Sequence, residues 1–188
     1  DKSANGNYEV RGKKLGIIGY GNIGSQLSVL AESLGMKVLY YDIADKLALG
    51  NAERCDTISD LLSNSDIISI HVDGRKSNTN LISESEFQLM KDGVFFLNLS
   101  RGLIVNIEDL KKYIQNGKIS GCAIDVYPEE PKSKINNYKN PLQNLPNTIL
   151  TPHIGGSTEE AQENIAQFVS TKIIDFVKVQ HKSSDPTV

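Results

Sequence analysis

Short apolar runs alternate with amphipathic stretches along most of this 188-residue chain. Residues 15–18, 37–41, 66–72, 93–99, 120–126 and 147–150 are dominated by consecutive apolar side chains and have strand length. Near-continuous apolar runs of this kind fit strands of a parallel sheet with helices on both faces. A helix is predicted from residue 22, where Ile23, Leu27, Leu30, Ala31 and Leu34 recur at i, i+4, i+7, i+8 and i+11, and Gly35 stops it. Further short helices are predicted over 57–64, 83–90 and 107–115, the last closed by Asn116-Gly117. Strand and helix alternate without internal repeats, so the predicted class is α/β, a doubly wound parallel sheet.

The last element has a different scale. Ser157-Thr158-Glu159-Glu160 reads as a capping box, with Ser157 as N-cap and Glu160 three residues on. The helix then runs to about residue 179, with Ala161, Ile165, Phe168, Val169, Ile173, Phe176 and Val177 on its apolar side. Its length of roughly 35 Å exceeds what one small sheet needs and suits a helix that crosses to a second body of protein.

Residues 1–10 are polar and punctuated by Gly6, residues 11–180 read as one domain, and residues 181–188 form a polar tail. A hydrophobic content of 39% supports one good core over this length. The net charge of −3 with no basic run gives no electrostatic reason to expect nucleic acid or an anionic membrane surface. Cys55 and Cys122 fit no metal-ligand spacing, no metal is expected, and Cys122 lies in an apolar run as a core thiol. No apolar stretch reaches the length of a membrane helix and no signal peptide opens the sequence, so a cytoplasmic setting is expected.

The chemistry begins where the first strand ends. Gly19-Tyr20-Gly21-Asn22-Ile23-Gly24 is a G-x-G-x-x-G turn between a strand and a helix. Gly19 allows a sharp turn, Gly21 lets a pyrophosphate approach the backbone, and Gly24 lets the helix pack close to the sheet. The N–H groups of the first helical turn would face the phosphates. Asp42 follows eighteen residues after Gly24, at the end of the second strand. A carboxylate there accepts hydrogen bonds from ribose hydroxyls and repels a 2′-phosphate, and no Arg follows it, so NAD is expected over NADP.

Ligands of an open parallel sheet gather at the carboxyl ends of its strands. Those ends carry His71, Asp73, the segment Asn98-Leu99-Ser100-Arg101-Gly102, the segment Asp125-Val126-Tyr127-Pro128-Glu129-Glu130-Pro131, and Thr151-Pro152-His153-Ile154-Gly155-Gly156. Arginine, carboxylates and histidine beside a nicotinamide suit hydride transfer, because the alcohol needs a base and the carbonyl an acid. An imidazole carries protons either way around neutral pH, which makes His153 the candidate acid/base. Glu130 and Asp125 are both candidates to orient it. Arg101 offers a planar fork for a substrate carboxylate.

The four ordered motifs G-Y-G-N-I-G with Asp42, N-L-S-R-G, A-I-D-V-Y-P-E-E-P and T-P-H-I-G-G-S-T resemble those of the D-isomer-specific 2-hydroxyacid dehydrogenases, over about residues 11–176. The resemblance implies an NAD-dependent enzyme in which Arg101 orients the substrate, Glu130 pairs with the histidine, and His153 is the acid/base. It implies that Asp125 contacts the nicotinamide amide and that Asn22 and Ile23 supply backbone donors to the pyrophosphate. Leu99, Ser100, Ile154, Gly155 and Gly156 would line the nicotinamide end, with Arg101 and His153 also beside the cofactor. The nearest branch implies oxidation of 3-phosphoglycerate to 3-phosphohydroxypyruvate, as in phosphorylated serine biosynthesis. A glyoxylate/hydroxypyruvate reductase or another 2-hydroxyacid dehydrogenase is the alternative within that chemistry, and an NADH-sensing corepressor the alternative outside it. Relatives have a proline where this chain has Asp73, which adds a negative charge beside the groove, and His71 is expected to pack along that groove. The family's substrate-binding domain is expected to be absent from this sequence, leaving NAD binding with weak activity. A homodimer through this domain is expected, with residues 73–90 and 132–140 as candidate arms.

Overall fold

The computed structural model describes residues 4, 6–131 and 138–183, with side chains through residue 179. Most of the candidate arm at 132–140, the tail after residue 183 and part of the lead-in lie outside the described residues. The chain divides into two compact units, Asp1–Pro152 and His153–Val188.

The first unit is a seven-stranded sheet in the order β3-β2-β1-β4-β5-β6-β7. Its strands are β1 (Lys14–Ile18), β2 (Lys37–Tyr41), β3 (Glu53–Arg54), β4 (Ile67–Ile70), β5 (Val94–Asn98), β6 (Ile119–Ile124) and β7 (Thr148–Leu150). Every adjacent pair is parallel. Chain order reverses between β1 and β4, which opens a crevice at their carboxyl ends. Six strands correspond to the predicted runs. The seventh, β3, is two exposed residues held to β2 in part by the Cys55 N–H donating to Tyr40 O at 2.8 Å.

Side chains alternate across the sheet and feed two cores. Ile18, Ile68, Ile70, Phe96 and Ile124 pack with Leu61 and Leu62 of α2 (Ile58–Asn64), Phe87 of α3 (Glu84–Leu89), and Leu110 and Ile114 of α4 (Ile107–Gln115). Leu15, Ile17, Tyr20, Val38 and Tyr40 pack on the other face with Ala31 of α1 (Asn22–Ser33). Within this unit that second face is covered over β1 and β2, whereas Phe95 of β5 and Ile149 of β7 stay exposed.

The helices start where the sequence supplies caps. Thr57 accepts from the Asp60 N–H, Asn106 from the Glu108 and Asp109 N–H groups, and Ser83 forms a capping box with Glu86. Helix α1 departs from its predicted face. Its buried residues are Gly24, Ser28 and Ala31, while Ile23, Leu30 and Leu34 are more than 60% exposed. Of the predicted stripe only Leu27 and Ala31 pack on the sheet, beside the small residues Gly24 and Ser28 that let the helix lie close.

Cys122 is buried, and that burial pushes its thiol up to about 12. It is an inert core residue at neutral pH.

The second unit is the turn after Pro152 followed by α5 (Glu159–Ser183). The cap is Thr158, whose hydroxyl accepts the Ala161 N–H at 3.1 Å, so the predicted Ser157 N-cap is one residue early. The run Ser-Thr-Glu-Glu offers two hydroxyl residues, and the backbone turn closed by the Ser157 N–H on Ile154 O decides between them. Helix α5 is 25 residues long, and its apolar side carries exposed Ile165, Phe168, Ile173 and Phe176.

Candidate active site

The glycine turn is built as a phosphate cradle. Gly19 has φ +93°, and its N–H donates to Tyr41 O at 2.9 Å. A Cβ there would lie 2.7 Å from the carbonyl carbon and oxygen of His71, so β1 and β4 approach through glycine alone. A Cβ on Gly24 would lie 2.2 Å from Gly19 O. Gly21 is the opposite case, since a Cβ there would meet nothing within 4 Å. Its open side faces outward, where a ligand can reach the backbone.

Helix α1 begins with Gly21 as N-cap and no side-chain cap. Its first intrahelical bond runs from the Ser25 N–H to Gly21 O, so the N–H groups of Asn22, Ile23 and Gly24 precede the ladder. No acidic side chain occupies the first turn, which leaves the positive end of the helix dipole for an anion.

Asp42 is half-buried at the end of β2. Oδ2 accepts the Tyr20 N–H at 2.8 Å, and Oδ1 accepts the Ala44 N–H at 2.8 Å. Those two bonds fix the carboxylate plane, and each oxygen keeps a further lone pair for a ribose hydroxyl.

Across the crevice, His71 packs inward. Its Nε2 lies 2.8 Å from Ser69 Oγ, and burial pulls its pKa below the ordinary histidine value. Asp73 forms a two-point pair with Arg75, including Arg75 Nε on Oδ1 at 2.7 Å. The Arg75 guanidinium holds the Asp73 carboxyl below the usual range. The negative charge anticipated at this position is therefore met by a neighbouring cation. Gly74 lies under Arg101, where a Cβ would be 3.1 Å from its Cγ.

The Arg101 loop depends on a residue whose role the sequence reading missed. Asn98 is buried at the end of β5, and its Oδ1 accepts both the N–H and the hydroxyl of Ser100 at 3.1 and 3.0 Å. Its Nδ2 donates to Arg101 O at 3.1 Å. This Asx-type turn shapes residues 98–101, and an Asn at a strand end two residues before a Ser is the signal that could have found it. Leu99 is half-exposed, and Arg101 is exposed with Nη1 donating to Ser100 O at 2.6 Å.

Gly102 brings this loop onto the next one, since a Cβ there would lie 1.9 Å from the Tyr127 carbonyl carbon. The Tyr127 N–H donates to Glu130 Oε1 at 3.0 Å, which orients that exposed carboxylate. Burial, together with Tyr138, Asp125 and Glu130, pushes the Tyr127 phenol up to about 12, so it remains a donor to Thr151 O at 2.8 Å. Asp125 is buried, with Oδ1 accepting from Thr151 Oγ1 at 2.6 Å. Asn98, Arg101, Asp125 and Glu130 thus share the carboxyl edge of β5 and β6, tied to the end of β7.

In the second unit, His153 is exposed and has φ +55°, a left-handed conformation that a non-glycine residue holds at a cost of about 1–3 kcal/mol. Ile154, Gly155 and Gly156 follow, exposed, and Gln162 Nε2 donates to Gly156 O at 2.9 Å. Among the described residues, no cluster of three or more His, Cys, Asp or Glu could hold a metal. None of the described helices is long and apolar enough to cross a membrane.

A parallel sheet with its switch point at a Gly19–Gly24 turn, a helix N-terminus behind it and a carboxylate at the end of the neighbouring strand defines a dinucleotide-binding domain. Comparison with known proteins narrows the class. Residues 1–155 match the D-isomer specific 2-hydroxyacid dehydrogenase, NAD binding domain family. The chain is 54% identical to D-3-phosphoglycerate dehydrogenase of Dictyostelium discoideum over 170 residues, covering 90% of this chain and 42% of that protein. It is 51% identical to the enzyme of that name from Haemophilus influenzae, covering 94% of this chain and 43% of the other. The structure of D-lactate dehydrogenase from Aquifex aeolicus complexed with NAD and lactic acid superposes with a TM-score of 0.78 at 31% identity, over 94% of this chain and 57% of that one. The chain belongs to the D-isomer specific 2-hydroxyacid dehydrogenases, whose NAD binding domain it contains, and its cofactor is NAD. It spans less than half the length of the curated relatives it matches.

Proposed function

We propose that the protein carrying this chain oxidises 3-phosphoglycerate to 3-phosphohydroxypyruvate, as a cytoplasmic homodimer. The observation that carries this reading is the 54% identity to a D-3-phosphoglycerate dehydrogenase across nine-tenths of the chain, with all four motifs retained. In this reading residues 11–180 are the cofactor-binding domain, and a substrate-binding domain is supplied by sequence beyond this chain.

NAD, when bound, would supply the hydride acceptor for this oxidation. Gly19, Gly21 and Gly24 leave room for its pyrophosphate, Asn22 and Ile23 donate backbone N–H groups to it, and Asp42 accepts the adenosine ribose hydroxyls. Leu99, Ser100, Asp125, Ile154, Gly155 and Gly156 line the nicotinamide end, with Asp125 as acceptor for the carboxamide. Arg101 holds the substrate carboxylate in a bidentate fork. His153 takes the 2-hydroxyl proton, and Glu130 orients the imidazole and stabilises its charged form. Support for the Glu130 role comes from the Tyr127 N–H, which holds Oε1 of that carboxylate at 3.0 Å.

A turnover assay on the full-length protein with phosphohydroxypyruvate, glyoxylate and pyruvate tests the substrate. Phosphohydroxypyruvate should give the highest kcat/KM, with NADH preferred to NADPH at least tenfold because Asp42 repels the added phosphate. Faster turnover of glyoxylate or pyruvate reassigns the substrate, and parity between cofactors removes the role of Asp42.

A further inference from the structure

Tyr20 occupies the variable position between Gly19 and Gly21, yet it is one of the most heavily tethered side chains in the crevice. Its ring is buried and stacked on Tyr40 with centroids 3.9 Å apart. Its N–H is the donor to Asp42 Oδ2. Its hydroxyl lies 2.7 Å from Ser28 Oγ on α1 and accepts the Leu49 N–H at 3.1 Å.

Counting hydrogens fixes the direction of this network. The one hydroxyl hydrogen of Ser28 goes to Ser25 O at 2.9 Å, so the Tyr20 hydrogen goes to Ser28 Oγ. The chain runs from Leu49 N–H to Tyr20 O–H to Ser28 O–H to Ser25 C=O. It joins the segment after β2 to the first turns of the phosphate-facing helix, and bonds in series polarise one another.

The segment so tethered, residues 43–52, has little core of its own. Ala52 is buried, but Ile43 and Leu47 are 78% and 92% exposed. Its shape rests on side chains from elsewhere, since besides the Tyr20 and Asp42 bonds Tyr40 Oη donates to Lys46 O at 2.7 Å, Glu32 Oε1 accepts the Asn51 N–H at 2.8 Å and Arg54 Nη1 donates to Asp45 Oδ1 at 2.5 Å. Because it starts at Asp42, it would flank the adenine in the NAD reading of the groove.

We propose that the Tyr20 hydroxyl, through Ser28 and Leu49, is a positioning device for the adenosine half of the cofactor, making the phosphate turn, Asp42 and the 43–52 segment one rigid receptor. The proposal rests on the NAD reading of the groove. Tyr20→Phe keeps the stacked ring and removes the link, and Ser28→Ala removes it from the other side.

Titration calorimetry on the parent and both variants with NADH, AMP and reduced nicotinamide mononucleotide tests this, alongside melting temperatures. Each variant is expected to weaken NADH and AMP about tenfold, to leave the mononucleotide unchanged, and to combine with the other without further loss, since both cut one chain. Variants that bind NADH and AMP within twofold of the parent, or that lose all three ligands equally, overturn the proposal. A parent that does not bind NADH removes the cofactor reading itself and this proposal with it.

Discussion

Replacing His153 with glutamine in the full-length protein is expected to lower kcat for phosphohydroxypyruvate reduction at least a hundredfold while leaving NADH affinity within twofold. Glutamine keeps the polarity and approximate reach of the side chain but cannot hold a proton at one step and release it at another. General acid–base transfer contributes about a hundred- to ten-thousandfold to such reactions. The groups proposed for the pyrophosphate and adenosine ribose, the Gly19–Gly24 turn and Asp42, lie in the Asp1–Pro152 unit and are untouched by the substitution, so the affinity should not follow. The backbone at residue 153 is left-handed, where glutamine is strained, and the melting temperature of the variant separates that cost from lost chemistry. Near-native turnover would take His153 out of the proton path.

Gly19→Ala is expected to damage the domain and its ligand site together. The residue has φ +93°, and the added Cβ would sit 2.7 Å from the His71 carbonyl carbon and oxygen. Relief requires β1 and β4 to part at the switch point, where the His71 N–H donates to Ile18 O at 2.7 Å. Strain alone costs about 1–3 kcal/mol and the backbone clash adds to it, so a fall in Tm of roughly 5–10 °C is expected. NADH affinity should drop more than thirtyfold, because the turn that presents Gly21 is displaced. Gly12 provides the control, having φ +78° with nothing within 4 Å of a Cβ. Gly12→Ala should show the strain without the loss of affinity. Equal NADH affinity in Gly19→Ala and the parent would remove the turn from the site.

What the sequence made legible follows from how each feature is encoded. Buried parallel strands are apolar runs, so six of them stood out, whereas Glu53–Arg54 is too short and too polar to carry any pattern. The α/β class followed from the strand–helix alternation. The packing face of α1 was half-read, because Leu27 and Ala31 of the apolar stripe pack on the sheet while Ile23, Leu30 and Leu34 are exposed. Gly24, Ser28 and Ala31, spaced i, i+4 and i+7, record a close approach, and a stripe of small residues was the available signal.

Within the candidate site, residues whose type announces chemistry could be named from the sequence, and residues that act through geometry could not. Arg101, Glu130 and His153 lie on recognisable motifs. Asn98 and Gly102 shape the loops beneath them, and their importance shows only in a turn closed by three hydrogen bonds and a backbone approach that a methyl group would block. The Asp73–Arg75 pair was half-seen, because a charge two residues away along a loop is not evidently a partner until the loop is folded. Tyr20 illustrates the same limit, since nothing local in the sequence links it to Ser28 or Leu49.

If NAD lies across the Gly19–Gly24 turn with its adenosine ribose on Asp42, amide NMR on the 15N-labelled chain during an NADH titration will register it there. Saturable shifts are expected to concentrate at the amides of Gly19, Gly21, Asn22, Ile23 and Asp42. Amides in that turn left unmoved at saturating NADH, or shifts gathered on another face of the sheet, would contradict it.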